Sequence, residues 1–204
     1  MQMIQIFGAW VGVVKLQSLD IALALDHVQT LDEKHADDSD HGSVTITQRL
    51  LDAPLFRAVK AECEQLSKDY VGLQGHQVEQ VRIASSWGNT LRKDDPIHVH
   101  MHPNSYVSGV FYLTEGAPLN FHNPLQTEDL FTLRPLVQWD EHNHHTWQVL
   151  KLPIKPGYML LFPSRLLHHV DQNDNEFRYS IAFNTMPTGL IGDSTKELNI
   201  IGVE

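Results

Sequence analysis

Several features are scarce in this chain of 204 residues, and each scarcity excludes a class of protein. There is one cysteine, Cys63, so the chain cannot be a small scaffold held together by its own disulfides. The 15 Lys and Arg residues are outnumbered by 25 Asp and Glu residues, which gives a formal charge of -10. That balance argues against nucleic acid or an anionic membrane surface as a partner. No apolar run reaches the roughly 18 residues of a membrane-spanning helix.

The N-terminal stretch MQMIQIFGAWVGVVKL is apolar, but no Lys or Arg precedes Lys15. A secretory signal carries its positive charge ahead of its apolar region. We therefore expect a cytoplasmic protein, which the single cysteine also fits. A length of 204 residues suits one domain with a full core.

Histidine is the residue type in excess: there are 13, and nine of them lie between His98 and His169. His98, His100 and His102 occupy alternate positions, so in a β-strand they would share one face. Imidazoles gathered in this way suit Fe, Zn, Cu or Ni. The series is therefore a candidate metal half-site, and His168 or His169 in FPSRLLHHV could complete it.

The order of elements predicts a mainly β fold with a flanking α-helix. We expect residues 1–78 to hold a strand, or a strand and a bend, over 3–16, an acidic loop over 29–43, and an amphipathic helix from Asp52. Asp52 is a plausible N-cap, and Pro54 would lie in the first turn. We expect eight short strands over 79–185 with no helix between them. Residues 186–204 would form a C-terminal extension. This pattern favours a double-stranded β-helix, the jelly roll of cupin-type proteins. The expected strands are 79–85, 97–101, 106–114, 118–122, 146–152, 157–162, 166–170 and 177–184.

A candidate anion site follows the last histidine pair. In the predicted strand FRYSIAFN, Arg178, Ser180, Ala182 and Asn184 share one face. Burying a guanidinium is costly unless an anion meets it, and its planar fork matches a carboxylate. Arg178 is therefore a candidate carboxylate receptor.

Four segments, in this order, resemble the Fe(II)- and 2-oxoglutarate-dependent oxygenase superfamily, and specifically a group of largely uncharacterised bacterial and phage members. The segments are HVHMHPNSYVSGVFYL, PLNFHNP, KPGYMLLFPSRLLHHV and RYSIAFN. The resemblance covers about residues 80–185. It implies that His168 is the distal metal ligand and that Arg178 and Ser180 hold the far carboxylate of 2-oxoglutarate. Tyr112 matches a tyrosine that binds the same carboxylate.

The resemblance implies Fe(II) as the metal, 2-oxoglutarate as co-substrate and O2 as oxidant, with Ni, Zn or another divalent metal as a substitute for iron. The chain departs from the superfamily at the proximal motif, because no Asp or Glu follows any of the three histidines at the second position. We therefore expect a three-histidine site of His100, His102 and His168, with His98 as the second choice for a proximal ligand. Such neutral ligands would leave the iron with more positive charge than a carboxylate does.

The sequence also gives expectations for residues around the metal and anion sites. Trp87, Asn89 and Asn104 are expected to line the pocket. We expect His169 to point away from the metal and His122 to lie near the core, while His142, His144 and His145 resemble a solvated loop.

Two alternative functions stay open. One is a cupin-like metal-dependent dioxygenase that does not use 2-oxoglutarate, and the other is a non-catalytic metal-binding jelly-roll module. We expect a small-molecule or peptide substrate, no nucleic acid or membrane partner, and a homodimer as one option for assembly.

Overall fold

The computed structural model describes residues 1–6, 9–35, 42–124, 148–192 and 198–201. Within them are two α-helices, α1 (Ile21–Gln29) and α2 (Arg57–Leu73), and two short 3-10 helices, Leu50–Asp52 and Pro54–Phe56. The strands of the described residues are β1 (Gln2–Ile6), β2 (Ala9–Lys15), β3 (Glu33–His35), β4 (Ser43–Thr45), β5 (Gln80–Arg92), β6 (Ile97–His100), β7 (Val107–Tyr112), β8 (Leu119–His122), β9 (Val149–Leu152), β10 (Tyr158–Pro163), β11 (His168–Val170), β12 (Phe177–Ile191) and β13 (Leu198–Ile200).

These strands form two sheets in a double-stranded β-helix, the jelly-roll fold that the sequence predicts. The larger sheet has the order β1-β2-β10-β7-β12-β5-β4-β3, with β13 paired to β12. The smaller sheet has the order β6-β11-β8-β9. All pairings within both sheets are antiparallel.

Alternate residues of the central strands bury two separate apolar layers, as a period of two requires. One face packs against the helices through residues such as Phe111, Leu161 and Phe183. The other faces the smaller sheet through residues such as Val110, Tyr112 and Phe162. β7 is buried at every position. The residues of the candidate site lie next to this second layer, between the two sheets.

Helix α2 covers the first layer with the buried residues Val59, Cys63, Ser67, Tyr70 and Val71. Their spacing of three and four residues is the period of one helix face. The predicted helix is present, but its predicted start at Asp52 is wrong. Asp52 ends the first 3-10 helix, and its carboxylate accepts hydrogen bonds from Arg49 and Lys60 at 2.5 and 2.6 Å.

The sequence did not predict helix α1, whose N-cap is Asp20: its carboxylate accepts a hydrogen bond from the Leu23 main-chain nitrogen at 3.1 Å. β3 and β4 also occupy parts of the stretch expected to be a loop, at Glu33–His35 and Ser43–Thr45. The opening strand is a hairpin of β1 and β2. β12 continues to Ile191, past residue 185, where we expected the core to end. No described helix is long and apolar enough to cross a bilayer.

Candidate active site

Three imidazoles converge between the sheets. His100 ends β6 and lies opposite His168, the first residue of β11. His102 follows two positions later, where its main-chain nitrogen donates to the Ser164 carbonyl at 2.9 Å. One ring nitrogen from each histidine lies within 4.8 Å of the others. His168 is 3% exposed and packs against Phe121 and Phe162. Strand pairing and a loop hydrogen bond thus bring the three rings together.

His98 does not join this group, and the reason is a bulge. Val170 pairs with Ile97 while His168 pairs with His100, so β6 carries one more residue than β11 over this span. An extra residue breaks the alternation of faces. His98 is consequently exposed at the rim of the cavity. Its main-chain carbonyl instead accepts a hydrogen bond from His100.

Each of the three imidazoles donates its Nδ1 hydrogen to an oxygen. The acceptors are the His98 carbonyl for His100 at 2.8 Å, the Leu166 carbonyl for His168 at 2.8 Å, and Asn184 Oδ1 for His102 at 2.6 Å. A carbonyl oxygen cannot donate, so Nδ1 carries the hydrogen and Nε2 carries the lone pair. In metal sites, the hydrogen-bond partners of the ligating histidines usually fix the rings in this same state.

Burial keeps these imidazoles neutral. It lowers the pKa of His100 and His168, and it lowers the pKa of His102 to about 4 even though the bond to Asn184 acts in the opposite direction. A protonated imidazole cannot bind a metal. At neutral pH all three histidines therefore offer a lone pair.

A cavity of about 490 Å³ opens onto the three histidines. Trp87 and Asn89 lie in its wall, and the Trp87 indole nitrogen donates to Asn89 Oδ1 at 3.1 Å. The Trp87 ring centroid lies 5.6 Å from that of His102. Much of the remaining wall is apolar, including Leu91, Val110 and Phe162.

Arg178 and Ser180 also line this cavity. Arg178 is 1% exposed, and its Nε donates to the Ala117 carbonyl at 3.0 Å. Within the described part of the chain, no Asp or Glu side chain pairs with it. Burial lowers the pKa of this guanidinium, and Tyr112 partly offsets the effect. A buried cation is costly unless an anion meets it, so Arg178 is a candidate receptor for an anionic ligand.

Tyr112 lies behind Arg178 rather than in the cavity wall. It is fully buried, and the Arg178 guanidinium carbon sits 5.2 Å from its ring centroid. Among the described residues its hydroxyl has no hydrogen-bond partner, which is unusual for a buried polar group. Burial raises the pKa of Tyr112, so the hydroxyl keeps its hydrogen and can donate.

The expectation that Asn104 lines the pocket is wrong. The residue lies in the turn after His102 with φ of 55°, a left-handed conformation that asparagine tolerates. The turn carries it to a second cavity, beside Tyr106 and Met186.

The remaining histidines lie elsewhere or beyond the described residues. His122 and His169 contact each other through Nε2 and Nδ1 at 2.8 Å, and neither lines the cavity. His169 also contacts Asp171 at 3.2 Å, on the side away from His168, as alternation predicts. His142, His144 and His145 lie outside the described residues.

Sequence reasoning missed the residues that hold the site in place. Asn184 supports His102, although its spacing from Arg178 and Ser180 already placed it on their face. Gly116 lies against the stem of Arg178, where an added Cβ would come within 2.9 Å of Cγ and Cδ. No periodic pattern marks such a glycine.

The fold and the histidine cluster define a jelly-roll protein with a candidate metal site. Residues 85–184 match the family model described as "Putative 2OG-Fe(II) oxygenase", and this stretch contains the three histidines, Arg178 and Ser180. Nearly half of the chain, 100 of its 204 residues, thus matches the 2OG-Fe(II) oxygenase family. Fe(II), 2-oxoglutarate and O2 are the general requirements of that family. No curated protein matches the chain by sequence.

Solved structures share this fold over most of their length. A 2OG-Fe(II) oxygenase family oxidoreductase from Burkholderia pseudomallei is 15% identical, with a TM-score of 0.57 over 85% of this chain and 84% of that one. HygX from Streptomyces hygroscopicus, with nickel and 2-oxoglutarate bound, is 15% identical, with a TM-score of 0.60 over 87% and 83%. A prolyl-4-hydroxylase from Pseudomonas putida is 14% identical, with a TM-score of 0.59 over 88% and 93%. At such low identity, these likenesses establish the architecture.

Proposed function

We propose that this chain is an Fe(II)- and 2-oxoglutarate-dependent dioxygenase of the hydroxylase type. His100, His102 and His168 hold the metal, and Arg178 with Ser180 binds the far carboxylate of 2-oxoglutarate. The observation that carries the proposal is that all three imidazoles offer Nε2 in one cavity. The same cavity is lined by buried Arg178, which pairs with no carboxylate of the described residues.

The donor set fits a catalytic iron. Three imidazoles suit Fe(II), and the described residues bring three candidate ligands together. Structural sites tend to close their coordination shell, whereas catalytic sites keep positions open. When bound, iron and 2-oxoglutarate supply the oxidising chemistry that hydroxylates a C–H bond, with O2 consumed and succinate and CO2 released.

The chain itself supplies positioning and exclusion of water. Arg178 matches a carboxylate with two parallel hydrogen bonds, and the Tyr112 ring packs against its guanidinium, with 5.2 Å from the guanidinium carbon to the ring centroid. Apolar walls such as Val110 and Phe162 keep the space between metal and arginine dry. A dioxygenase without 2-oxoglutarate has no use for this buried cation, so Arg178 favours the first of the expected functions.

For the substrate, we propose a neutral or anionic small molecule or peptide. No Asp or Glu lines the cavity within the described ranges, whereas Lys34 lies at its rim. Val99 and Met101, each about half exposed, add apolar surface there. A positive side chain at the mouth of a cavity attracts anionic ligands and repels cationic ones. We propose the cytoplasm as the location, on the basis of the single buried cysteine.

Anaerobic titration with Fe(II) and 2-oxoglutarate tests the function. We expect a weak visible charge-transfer band, which reports the chelate of the keto acid on iron. His168→Ala should abolish the band because it removes a buried ligand.

Arg178→Ala should raise the 2-oxoglutarate concentration needed for the band by about 10- to 100-fold, since a hydrogen bond to a charged group contributes about 1.5–3 kcal/mol. Arg82→Ala is the matched control, because Arg82 makes a surface ion pair with Glu64. If no band forms, or if Arg178→Ala behaves like Arg82→Ala, the co-substrate assignment is wrong.

A further inference from the structure

His102 differs from the other two histidines in what holds it. His100 and His168 donate to main-chain carbonyls, that of His98 in β6 and that of Leu166 in the turn before β11. His102 donates to a side chain, the amide of Asn184, at 2.6 Å. A carbonyl offers only an acceptor, whereas an amide side chain has an acceptor at one end and a donor at the other. The state of His102 therefore depends on which end of the amide faces it.

The two orientations have opposite consequences for a metal. With Oδ1 towards the ring, Nδ1 of His102 carries the hydrogen and Nε2 carries the lone pair. With the amide reversed, its NH2 group would donate to Nδ1, and the ring hydrogen would move to Nε2. That hydrogen would then occupy the position where the metal must bind. The orientation of one amide thus decides whether His102 can act as a ligand.

A buried serine hydroxyl stabilises one of these orientations. Ser108 donates to Asn184 Oδ1 at 2.8 Å, and its Oγ also lies 2.8 Å from Ser164 Oγ. Ser108 and Ser164 are at most 1% exposed, so bulk water does not compete for these hydroxyls. A hydroxyl that donates to Oδ1 stabilises the orientation in which Oδ1 also faces His102.

A bulge in the pairing of β12 with β5 lies next to Asn184. Asn184 pairs with Ser85 and Thr185 pairs with Ile83, so Ala84 has no partner of its own. Such a bulge fixes the local register and the direction of the neighbouring side chains.

We propose that Asn184, oriented by Ser108, is a positioning residue that sets the tautomer of His102 and so holds Nε2 open for the metal. This inference rests on the proposed function in taking His102 as a metal ligand, but it requires neither 2-oxoglutarate nor turnover.

Three variants separate the contributions. Asn184→Asp presents only acceptors, so Nδ1 of His102 should keep its hydrogen and metal affinity should equal or exceed that of the native protein. Asn184→Leu has a similar size but offers no acceptor, so the tautomer should become mixed and metal affinity should fall about 10- to 100-fold. Ser108→Ala should produce a smaller loss in the same direction. Ser67→Ala is the control, since its buried hydroxyl donates to the Cys63 carbonyl far from the site.

The first measurement is the 15N NMR spectrum of the imidazoles in the metal-free protein at neutral pH, which distinguishes the two neutral tautomers. We expect hydrogen on Nδ1 of His102 in the native protein and in Asn184→Asp, and a mixture in Asn184→Leu. Hydrogen on Nε2 in the native protein, or no change in Asn184→Leu, would overturn the proposal. Should Asn184→Leu fail to fold, an unchanged tautomer in Ser108→Ala would overturn the role of Ser108.

The second measurement is titration with Co²⁺, whose visible absorption reports binding without turnover. Affinity should follow the order Asn184→Asp, native, Ser108→Ala, Asn184→Leu, with Ser67→Ala equal to native. Equal affinity in native and Asn184→Leu proteins counts against the proposal. If the native protein has the expected tautomer but binds no metal, the proposed function fails and the tautomer result still supports the role of Asn184.

Discussion

At the scale of single residues, Arg178 is held in a buried position by a glycine. An added Cβ at Gly116 would lie 2.9 Å from Cγ and Cδ of Arg178, and Gly116 has φ of +155°. Both the space and the backbone conformation therefore restrict this position to glycine. A side chain at position 116 would therefore displace the stem of Arg178.

We predict that Gly116→Ala will weaken 2-oxoglutarate binding by about 10- to 100-fold, because a displaced guanidinium loses charge-assisted bonds of about 1.5–3 kcal/mol. It should also lower the free energy of unfolding by about 1–3 kcal/mol through backbone strain. Gly75→Ala is the matched control: Gly75 has φ of +85° and open space around it, so only stability should fall. The measurements are 2-oxoglutarate titration and urea unfolding. Equal 2-oxoglutarate affinity in the two variants would contradict the proposed contact.

His102 allows a prediction about redox chemistry. Three neutral ligands leave Fe(II) with its full +2 charge, whereas one carboxylate leaves +1, so a carboxylate stabilises Fe(III) more strongly. We predict that His102→Asp will lower the Fe(III)/Fe(II) potential relative to the native protein. Anaerobic spectroelectrochemistry measures it. A native potential equal to or below that of the variant would contradict this effect of ligand charge.

Residue-level prediction from sequence was uneven for a physical reason. Alternation along strands groups His98, His100 and His102 and places Arg178 and Ser180 on one face, because it depends only on chain geometry. The choice of His100, His102 and His168 among the histidines came from the family resemblance. The bulge that separates His98 from this group and the turn that removes Asn104 depend on pairing with distant strands. No local pattern reports those events.

At the scale of elements, the nine-residue helix α1 depends on its cap. Helices this short are marginal alone, and Asp20 satisfies a free main-chain nitrogen at the start of α1. Its buried residues Ala24 and Val28 contribute to the layer beneath the helices. The cap therefore stabilises a part of the core.

We predict that Asp20→Ala will lower the free energy of unfolding by about 0.5–2 kcal/mol, as measured by urea denaturation. Asp26→Ala is the control, since Asp26 is an exposed carboxylate in the same helix. An equal loss in both variants would show that charge rather than capping matters.

The strands were the most predictable elements. All eight predicted after residue 78 are present, because alternation and turn residues mark them locally. Six lie within three residues of their expected bounds, whereas β5 and β12 each end seven residues later than expected. α1 escaped notice because nine residues give too few turns for a periodic pattern to stand out. The start of α2 was misplaced because a 3-10 segment precedes it, and the same N-terminal residue types precede both kinds of helix.

At the scale of the whole molecule, the site joins the two sheets. The smaller sheet carries His100 and His168, whereas β12 of the larger sheet carries Arg178, Ser180 and Asn184. Packing of one sheet on the other buries the three imidazoles. Their neutrality is therefore coupled to folding.

This coupling predicts acid sensitivity of the metal-free protein. The folded pKa of His102 is about 4, below its ordinary 6.5, so the unfolded state binds more protons between these values. Stability is then lost as pH falls through this window. At 1.36 kcal/mol per pH unit, His102 alone accounts for about 2 kcal/mol between pH 6.5 and 5. His100 and His168 act in the same direction.

Urea unfolding in EDTA at pH 5 to 8 measures this effect. His102→Gln should give a shallower dependence on pH than the native protein, whereas His98→Gln, at the exposed rim, should not. The same slope in native and His102→Gln proteins would rule out this origin of the acid sensitivity.

The long pairing of β5 with β12 fixes the register of the larger sheet. It spans twelve residue pairs, from Phe177 with Arg92 to Thr188 with Gln80, with the bulge next to Asn184. Successive side chains on one face are roughly 6.6 Å apart, and a slip of β12 by one residue would turn Arg178, Ser180 and Asn184 to the opposite face. Twelve residue pairs and one bulge therefore fix all three side chains on the same face at once, and a change of register would remove them together.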